Sequence, residues 1–141
     1  MEVKIKLLHE DAVKPTYAHS GDACMDITAI DDGTYISYDI VEYRTGLSFD
    51  IPDGYEIVVR PRSSISKTML MLVNSPATID SNFKGELKLR YKAFANGLPL
   101  YKKGDRIAQM KIEEVIPIEW VDTEELSVSE RGEGSFGSTG K

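Results

Sequence analysis

The sequence predicts an all-β domain, folded as a sandwich or as a jelly-roll-like barrel. Two observations favour this fold class. Apolar and charged residues alternate with a period of two in several short segments, and turn-forming residues separate these segments at near-regular intervals. Of the 141 residues, 41% are hydrophobic and 28% are charged, which is typical of one globular domain and not of a disordered chain. Short strands of this kind pack as two layers around a single core.

The individual strands are predicted from alternation, and the turns from glycine, proline, aspartate and asparagine. Residues 86–93 alternate most clearly, because leucine, tyrosine and alanine take every second position and polar residues take the others. The other predicted strands are residues 3–7, 55–59 and 106–112, and the predicted turns are residues 32–33, 51–54, 96–97 and 103–105. Helix is expected only as one short turn at residues 64–68, with Ser64 as its cap.

The C-terminal residues differ in composition from the rest of the chain. We therefore predict a β-barrel domain at residues 1–126 and a flexible, glycine-rich arm at residues 127–141. Four glycines in the last ten residues do not support a strand or a helix. One interpretation is a frayed terminus. The other is a phosphate clamp, because Arg131 and several hydroxyl groups stand among glycines whose backbone N–H groups can bind an anion.

The charges of the chain are distributed unevenly. A net charge of −6 argues against nucleic acid as a partner. Residues 60–111 nevertheless carry eleven basic and three acidic side chains, which either form the outer faces of strands or bind a small polyanion such as a triphosphate. No segment has the length and apolarity of a membrane helix or of a signal peptide, and a lone cysteine, Cys24, favours a reducing compartment. We therefore expect a cytoplasmic protein without a membrane partner.

Three segments combine acidic, hydroxyl and basic residues in ways that a core does not require. Asp26 stands between apolar neighbours, so it is either a turn or cap residue or a residue that holds a hydrated cation. Residues 60–64, with two arginines and two serines after a predicted strand, suit an anion-binding loop. Residues 104–109 form a turn that leads into a strand, with Gln109 as a polar residue in an apolar context. No zinc-ligand spacing, Walker A loop or dinucleotide fingerprint is present.

A fourth segment, residues 74–86, contains an isolated carboxylate. Asp80 is the only acidic residue between Glu56 and Glu86, and it lies within the cationic stretch. Positive surroundings favour the charged form of a carboxylate, so we expect Asp80 to be available as a base at neutral pH. The alternative is a turn-forming aspartate with no chemical role.

Taken in order, these four segments and the glycine-rich tail resemble the five sequence motifs of the trimeric dUTP diphosphatase (dUTPase) family. The resemblance spans residues 20–140. It implies the dUTPase-type (β-clip) jelly-roll-like barrel and the hydrolysis of dUTP to dUMP and diphosphate with Mg²⁺. It also implies a homotrimer in which each site draws on several subunits and the C-terminal arm of one chain closes over a site of another.

The resemblance assigns roles to individual residues. Asp80 would orient and deprotonate the attacking water, Phe83 would pack on the deoxyribose, and Asn74 with the hairpin after it would read the uracil edge. Asp26 would hold Mg²⁺ through water molecules. The other substrate-binding positions that the resemblance implies are Arg62, Ser63, Ser64, Gln109, Arg131, Phe136, Gly137, Ser138 and Thr139.

The chain departs from the family pattern at several motif positions. Cys24 and Met25 stand where the first motif usually has Gly and Tyr, and Phe83 stands where the third has Tyr. The aromatic ring is kept, so discrimination against ribose is expected to persist. Two alternative functions remain: a dCTP deaminase of the same fold, which depends on a Glu where this chain has Asp80, and a dUTPase-like regulator that uses nucleotide binding to switch a protein partner.

Overall fold

The computed structural model describes residues 1–95 and 100–135. Within these ranges the chain forms ten β-strands and one 3-10 helix, and no α-helix, which confirms the all-β prediction. The strands are β1 (Lys4–Leu7), β2 (Met25–Thr28), β3 (Thr34–Tyr35), β4 (Ile40–Arg44), β5 (Leu47–Asp50), β6 (Tyr55–Arg60), β7 (Leu70–Leu72), β8 (Ala77–Ile79), β9 (Lys88–Ala93) and β10 (Arg106–Glu114). The 3-10 helix spans Ser63–Lys67, between β6 and β7.

The strands pair in three antiparallel sheets. Strands β1 and β5 form one sheet, and the other two have the orders β2-β10-β6-β8 and β3-β4-β9-β7. Most neighbouring strands are distant in sequence, so the chain crosses repeatedly between sheets, as in a jelly roll. Strand β10 lies between β2 and β6, which places Gln109 opposite both Asp26 and Arg60. This alignment of three strands organises the site described below.

The core lies between the sheets. It is filled by side chains that point inward at alternate positions along the strands. In β9, Leu89, Tyr91 and Ala93 are buried, while Lys88 and Arg90 are exposed. The observed pattern is the one that the period-two alternation predicts. The charged outer face of β9 also accounts for several of the basic side chains in the cationic stretch.

Three tyrosines form an aromatic cluster inside the core. The rings of Tyr43, Tyr91 and Tyr101 contact one another edge to face, with centroid distances between 5.5 and 5.9 Å. The hydroxyl of Tyr91 donates a hydrogen bond of 2.6 Å to the carbonyl oxygen of Ile107. Burial raises the pKa of Tyr43 to about 12 and also raises the pKa of Tyr91, because a buried phenolate would lose its hydration. The cluster is therefore neutral at physiological pH.

The predicted strands are all present, with ends that differ by a few residues; β10, for example, continues to Glu114. The predicted helical turn is also present, but the assignment of Ser64 as its cap is wrong. Arg62 occupies the cap position, and its side chain makes no capping hydrogen bond. The hydroxyl of Ser66 instead donates to the carbonyl oxygen of Ser63 and tightens the turn. The turn predicted at residues 96–97 lies outside the described residues.

The chain leaves the sheets at the end of β10. Every residue from 114 to 133 is exposed, and Trp120 is 85% exposed although its side chain is large and apolar. Val128 is fully exposed. The described part of the chain contains no helix that is long and apolar enough to cross a membrane.

Candidate functional site

Asp26 binds two arginine side chains, one with each carboxylate oxygen. Its Oδ1 lies 2.8 Å from Nε of Arg62, and its Oδ2 accepts a hydrogen bond of 3.1 Å from Nη1 of Arg106. The Asp26 and Arg62 side chains are 21% and 25% exposed, whereas that of Arg106 is 55% exposed. Each guanidinium has five N–H donors, so both arginines retain donors for an anion.

The fold brings these three residues together from separate strands. Asp26 lies in β2, Arg62 follows β6, and Arg106 begins β10, which pairs with both of those strands. The pairing of β10 with β2 is irregular between Arg106 and Ala108. In a regular strand Arg106 and Gln109, three residues apart, would face opposite sides. Because of this bulge, both side chains line the same cavity.

This cavity, the arginine cavity, has a volume of about 460 Å³. Its walls include Asp26, Arg62, Ser63, Arg106 and Gln109. Ser64 lies in the same 3-10 turn as Ser63, but it is not part of the cavity wall. The structure therefore brings four of the predicted residues together: Asp26, Arg62, Ser63 and Gln109. Guanidinium, hydroxyl and amide donors at one surface suit the binding of phosphate groups.

Backbone contacts fix the orientation of the donors in this cavity. Nε2 of Gln109 donates to the carbonyl oxygen of Pro61 at 2.9 Å, and Nη1 of Arg62 donates to the carbonyl oxygen of Arg106 at 3.2 Å. Both bonds tie the segment after β6 to β10. The donors are thus positioned before any ligand binds, which reduces the ordering that binding requires.

The arginine cavity offers few ligands for a magnesium ion. Two carboxylates line the cavity, those of Asp22 and Asp26, and both oxygens of Asp26 already contact arginines. No cluster of three or more His, Cys, Asp or Glu residues that could hold a metal occurs within residues 1–95 and 100–135. Mg²⁺ commonly keeps several waters and binds to one or two carboxylates together with substrate phosphates. The two carboxylates of the cavity fit an ion of this kind, which keeps its waters and binds together with substrate phosphates.

A second cavity, also of about 460 Å³, contains Asn74 and Phe83. Its floor is apolar and includes Leu72, Ala77 and Leu87, which are buried. Phe83 is 43% exposed. An amide group and an exposed ring above an apolar floor are suited to a planar base with a sugar attached.

Ionised side chains form the rim of the second cavity. Glu42 accepts hydrogen bonds from Lys88 at 3.2 Å and from Arg90 at 2.9 Å. Burial of Glu42 opposes its ionisation, but the hydrogen bonds from Arg90 and Lys88 outweigh burial and lower its pKa. The negative charge of Glu42 at the rim is therefore balanced by the positive charges of Lys88 and Arg90.

The segment that contains Asp80 and Phe83 is a loop between two sheets. The strands on either side of this loop do not pair with each other: β8 pairs with β6, while β9 pairs with β4 and β7. The loop begins with a turn in which the N–H of Phe83 donates to the carbonyl oxygen of Asp80 at 3.1 Å. Asp80 is exposed, and its carboxylate makes no hydrogen bond or ion pair with the described residues.

Asp80 and Asp26 lie at opposite corners of one four-stranded sheet. Asp80 follows Ile79, which pairs with Ile57 near the start of β6, whereas Asp26 is level with Arg60 at the end of β6. Three strand spacings and about four residues of extended chain separate the two positions, which amounts to roughly 20 Å. Within one chain, the structure does not bring Asp80 to the arginines.

The predicted arm is described as far as Ser135. Nε of Arg131 donates to the carbonyl oxygen of Gly134 at 2.8 Å, and among the described residues the hydrogen bonds of residues 129–134 connect these residues only to one another. The other predicted arm residues, Phe136, Gly137, Ser138 and Thr139, lie outside the described residues.

Arg106 is the functional candidate that sequence reasoning did not assign. The turn before it and the strand after it were recognised, but its proximity to Asp26 depends on the bulge in β10, which alternation does not reveal. His19, Asp22 and Cys24 also line the arginine cavity. For Cys24 the sequence does contain a signal, because this residue lies in the first motif and differs there from the family pattern.

A third cavity, of about 420 Å³, offers no chemistry of this kind. Its walls are mainly apolar side chains from the N-terminal residues and from β2, β5, β6 and β10, and Lys14 is the only ionisable side chain besides Tyr17. The arginine cavity and the second cavity, which contains Asn74 and Phe83, are therefore the candidates for a nucleotide site.

Comparison with known proteins identifies the family. The model of the dUTPase family matches residues 10–140. A deoxyuridine 5′-triphosphate nucleotidohydrolase of Nautilia profundicola is 41% identical over the full length of both chains, and one of Hydrogenobaculum sp. is 40% identical over 99% of both.

Solved structures agree with the sequence comparison. The dUTPase of Staphylococcus bacteriophage 80alpha, determined with dUPNHPP, has a TM-score of 0.79 and 29% identity, with 99% of each chain covered. The dUTPase of phage phi11 of S. aureus has a TM-score of 0.76 and shows the same fold. The family match over residues 10–140 and the full-length relatives establish that the chain belongs to the dUTPase family of nucleotidohydrolases.

Proposed function

We propose that this dUTPase hydrolyses dUTP to dUMP and diphosphate by attack of an Asp80-activated water molecule on the α-phosphorus. The observation that carries the proposal is the pair of guanidinium groups, Arg62 and Arg106, held by Asp26 in a cavity that Ser63 and Gln109 also line. This is a preorganised set of donors for a polyanion.

The arginine cavity binds the phosphate chain. Charge develops on the leaving diphosphate as the bond to the α-phosphorus breaks, and fixed N–H donors stabilise that charge without reorganising. Arg62 offers its remaining guanidinium N–H groups, Ser63 its hydroxyl, and Gln109 its second amide N–H. Bound Mg²⁺ would supply further charge neutralisation of the phosphates, held through water near Asp26.

The second cavity binds the nucleoside. Asn74 offers both an amide donor and an amide acceptor to the base edge, and the half-exposed ring of Phe83 packs on the deoxyribose. A ring packed on C2′ leaves no room for a ribose hydroxyl. Asp80 lies three residues before Phe83 in the same turn. Its free carboxylate can therefore accept a proton from water and contact the 3′-hydroxyl.

A complete site requires more than one chain. Asp80 and the arginine pair are separated by roughly 20 Å within a chain, whereas the triphosphate and nucleoside must contact both at once. The exposed apolar residues of the segment after β10, such as Trp120, also indicate that another subunit covers it. We infer a homotrimer in which one chain supplies Asp80 and another supplies the arginines.

The residues after 126 act as an arm that closes over the site. In the described part, residues 129–134 bond only to one another, so the arm is not tied to its own barrel. Ordering it costs about 1–2 kcal/mol per residue. Arg131, Phe136, Gly137, Ser138 and Thr139 would contact the nucleotide and offset that cost, so closure follows substrate binding and excludes bulk water.

One assay tests the proposed reaction. Release of diphosphate is measured with dUTP, UTP, dCTP and dTTP, each with and without Mg²⁺, while ammonia is monitored in parallel. We expect diphosphate from dUTP alone, with Mg²⁺ increasing the rate. Ammonia from dCTP would instead indicate the deaminase, and nucleotide binding without turnover would indicate the regulator.

A further inference from the structure

Gly85 lies directly against the ring of Phe83. A Cβ atom built at residue 85 would lie 2.7 Å from Cζ and 3.0 Å from Cε2 of that ring, well inside the roughly 3.5–4.0 Å at which carbon atoms make favourable contact. The three nearest heavy atoms all belong to Phe83. The ring therefore packs on a main chain that has no side chain at this point.

The loop that carries the ring is anchored on both sides of Gly85. On one side, the hydroxyl of Ser48 donates to the carbonyl oxygen of Lys84 at 2.8 Å, and Nζ of Lys84 donates to the carbonyl oxygen of Ser81 at 2.7 Å. On the other side, the carboxylate of Glu86 accepts a hydrogen bond of 2.9 Å from the N–H of Gly46. A methyl group at residue 85 would therefore displace the ring more readily than the backbone.

Displacement of the ring changes the second cavity. Phe83 is part of the cavity wall together with Asn74. A rotated ring either enters the space for the sugar or opens a gap beside C2′. Both results alter the discrimination between deoxyribose and ribose, while the arginine cavity stays unchanged.

We propose that Gly85 is a positioning residue for sugar selection, because its missing side chain holds the Phe83 ring in the orientation that admits deoxyribose and excludes ribose. This inference rests on the proposed role of Phe83 on the sugar. It adds a determinant of specificity that acts through the position of the Phe83 ring. The dUTP-to-UTP ratio of kcat/KM is the property that Gly85 controls.

The test is a double-mutant cycle on the full-length enzyme. The ratio of kcat/KM for dUTP to that for UTP is measured for wild type, G85A, F83A and the variant with both changes. We expect G85A and F83A each to lower the ratio by about tenfold or more. Once the ring is absent, G85A has nothing to displace, so the double variant should match F83A.

The outcomes separate the two proposals. An unchanged ratio in F83A overturns the role of Phe83 on the sugar. A changed ratio in F83A with an unchanged ratio in G85A overturns only the positioning role of Gly85. The melting temperature of each variant is measured as well. If G85A does not fold, the double variant should, because the clash is with the ring alone; an unfolded double variant contradicts the inference.

Discussion

The carboxylate of Asp26 is joined to the guanidinium of Arg62 by an ion pair of 2.8 Å, and its other oxygen holds Arg106. The family resemblance implies that Asp26 holds Mg²⁺ through water molecules. The observed geometry shows that Asp26 aligns two cations beside one another. Without Asp26, the two guanidinium groups would repel each other and turn toward solvent.

The variant D26N should therefore lose activity because the arginines are displaced. An amide can hydrogen-bond to one guanidinium but carries no charge to hold two. We expect kcat/KM for dUTP to fall by about 100-fold, the size of loss that a misplacement of about one ångström can produce. The measurement is steady-state diphosphate release, together with the melting temperature.

The variant D39N is a matched control for D26N, because Asp39 is also an ion-paired aspartate and directly precedes β4. Asp39 forms an ion pair of 3.1 Å with Lys92 outside the arginine cavity, so D39N removes a similar interaction. We expect D39N to keep wild-type activity. Equal losses of kcat/KM in D26N and D39N would show that the activity falls because the fold is destabilised, and not because the arginines are displaced.

The variant D80N should abolish turnover and spare binding. The carboxylate of Asp80 has no partner among the described residues, so its removal disturbs no observed contact, yet the amide cannot accept a proton from water. We expect kcat to fall by at least about 1,000-fold, while the Kd for a non-hydrolysable dUTP analogue changes little. The matched control is D53N, since Asp53 is an exposed turn residue; turnover by D80N near that of D53N would remove Asp80 from the mechanism.

The fold was predictable because its signal is local, and the site was only partly predictable because its signal is not. Alternation in residues 86–93 identifies β9 and its buried face without knowledge of its partners. The contact of Asp26 with Arg106 depends on which strands pair and on a bulge in β10, and neither feature is encoded in neighbouring residues. The error at Ser64 is of a different kind, since the 3-10 helix begins at Ser63 and its cap position is Arg62, whose side chain makes no capping hydrogen bond.

The separation of Asp80 from the arginines could not be predicted from motifs. The motif order along the chain says nothing about which motifs meet in one subunit. The register of β8 on β6 places Asp80 at the far corner of the sheet. The contact of Gly85 with Phe83 was also missed, although a glycine two residues after an exposed aromatic residue is a visible sequence feature.

Truncation after Ser129 should remove activity without lowering stability. Hydrogen bonds of the described residues beyond Ser129 are local to the tail, so truncation removes no hydrogen bond between the described tail and the barrel. We expect kcat/KM to fall by about 100-fold or more, because the closing donors are absent. The melting temperature should stay within about 2 °C of the full chain. A large fall in melting temperature would make the tail part of the structural core.

Alkaline pH should destabilise the fold through its tyrosine cluster. Burial raises the pKa of Tyr43 to about 12, above its unfolded value of about 10. The folded state then keeps a proton that the unfolded state releases, so the contribution of Tyr43 to stability is complete below about pH 10 and is lost as the pH rises toward 12. Urea unfolding of wild type and Y43F between about pH 9 and pH 12 measures this effect. The Y43F variant should show the weaker pH dependence, and parallel curves would contradict the assignment.

Mixing two inactive variants should restore activity if one chain supplies Asp80 and another supplies Arg62. D80N and R62A are each expected to be inactive alone. In mixed trimers, a site that takes its aspartate from an R62A chain and its arginine from a D80N chain is intact. Random assembly of equal amounts produces such sites about one time in four, so co-refolded mixtures should recover about a quarter of wild-type activity. A mixture of D80N with D80A cannot form an intact site and is the control. No recovery from a mixture that mass measurement shows to be hetero-oligomeric would mean that one chain supplies both residues, against the roughly 20 Å that separate their positions in the sheet.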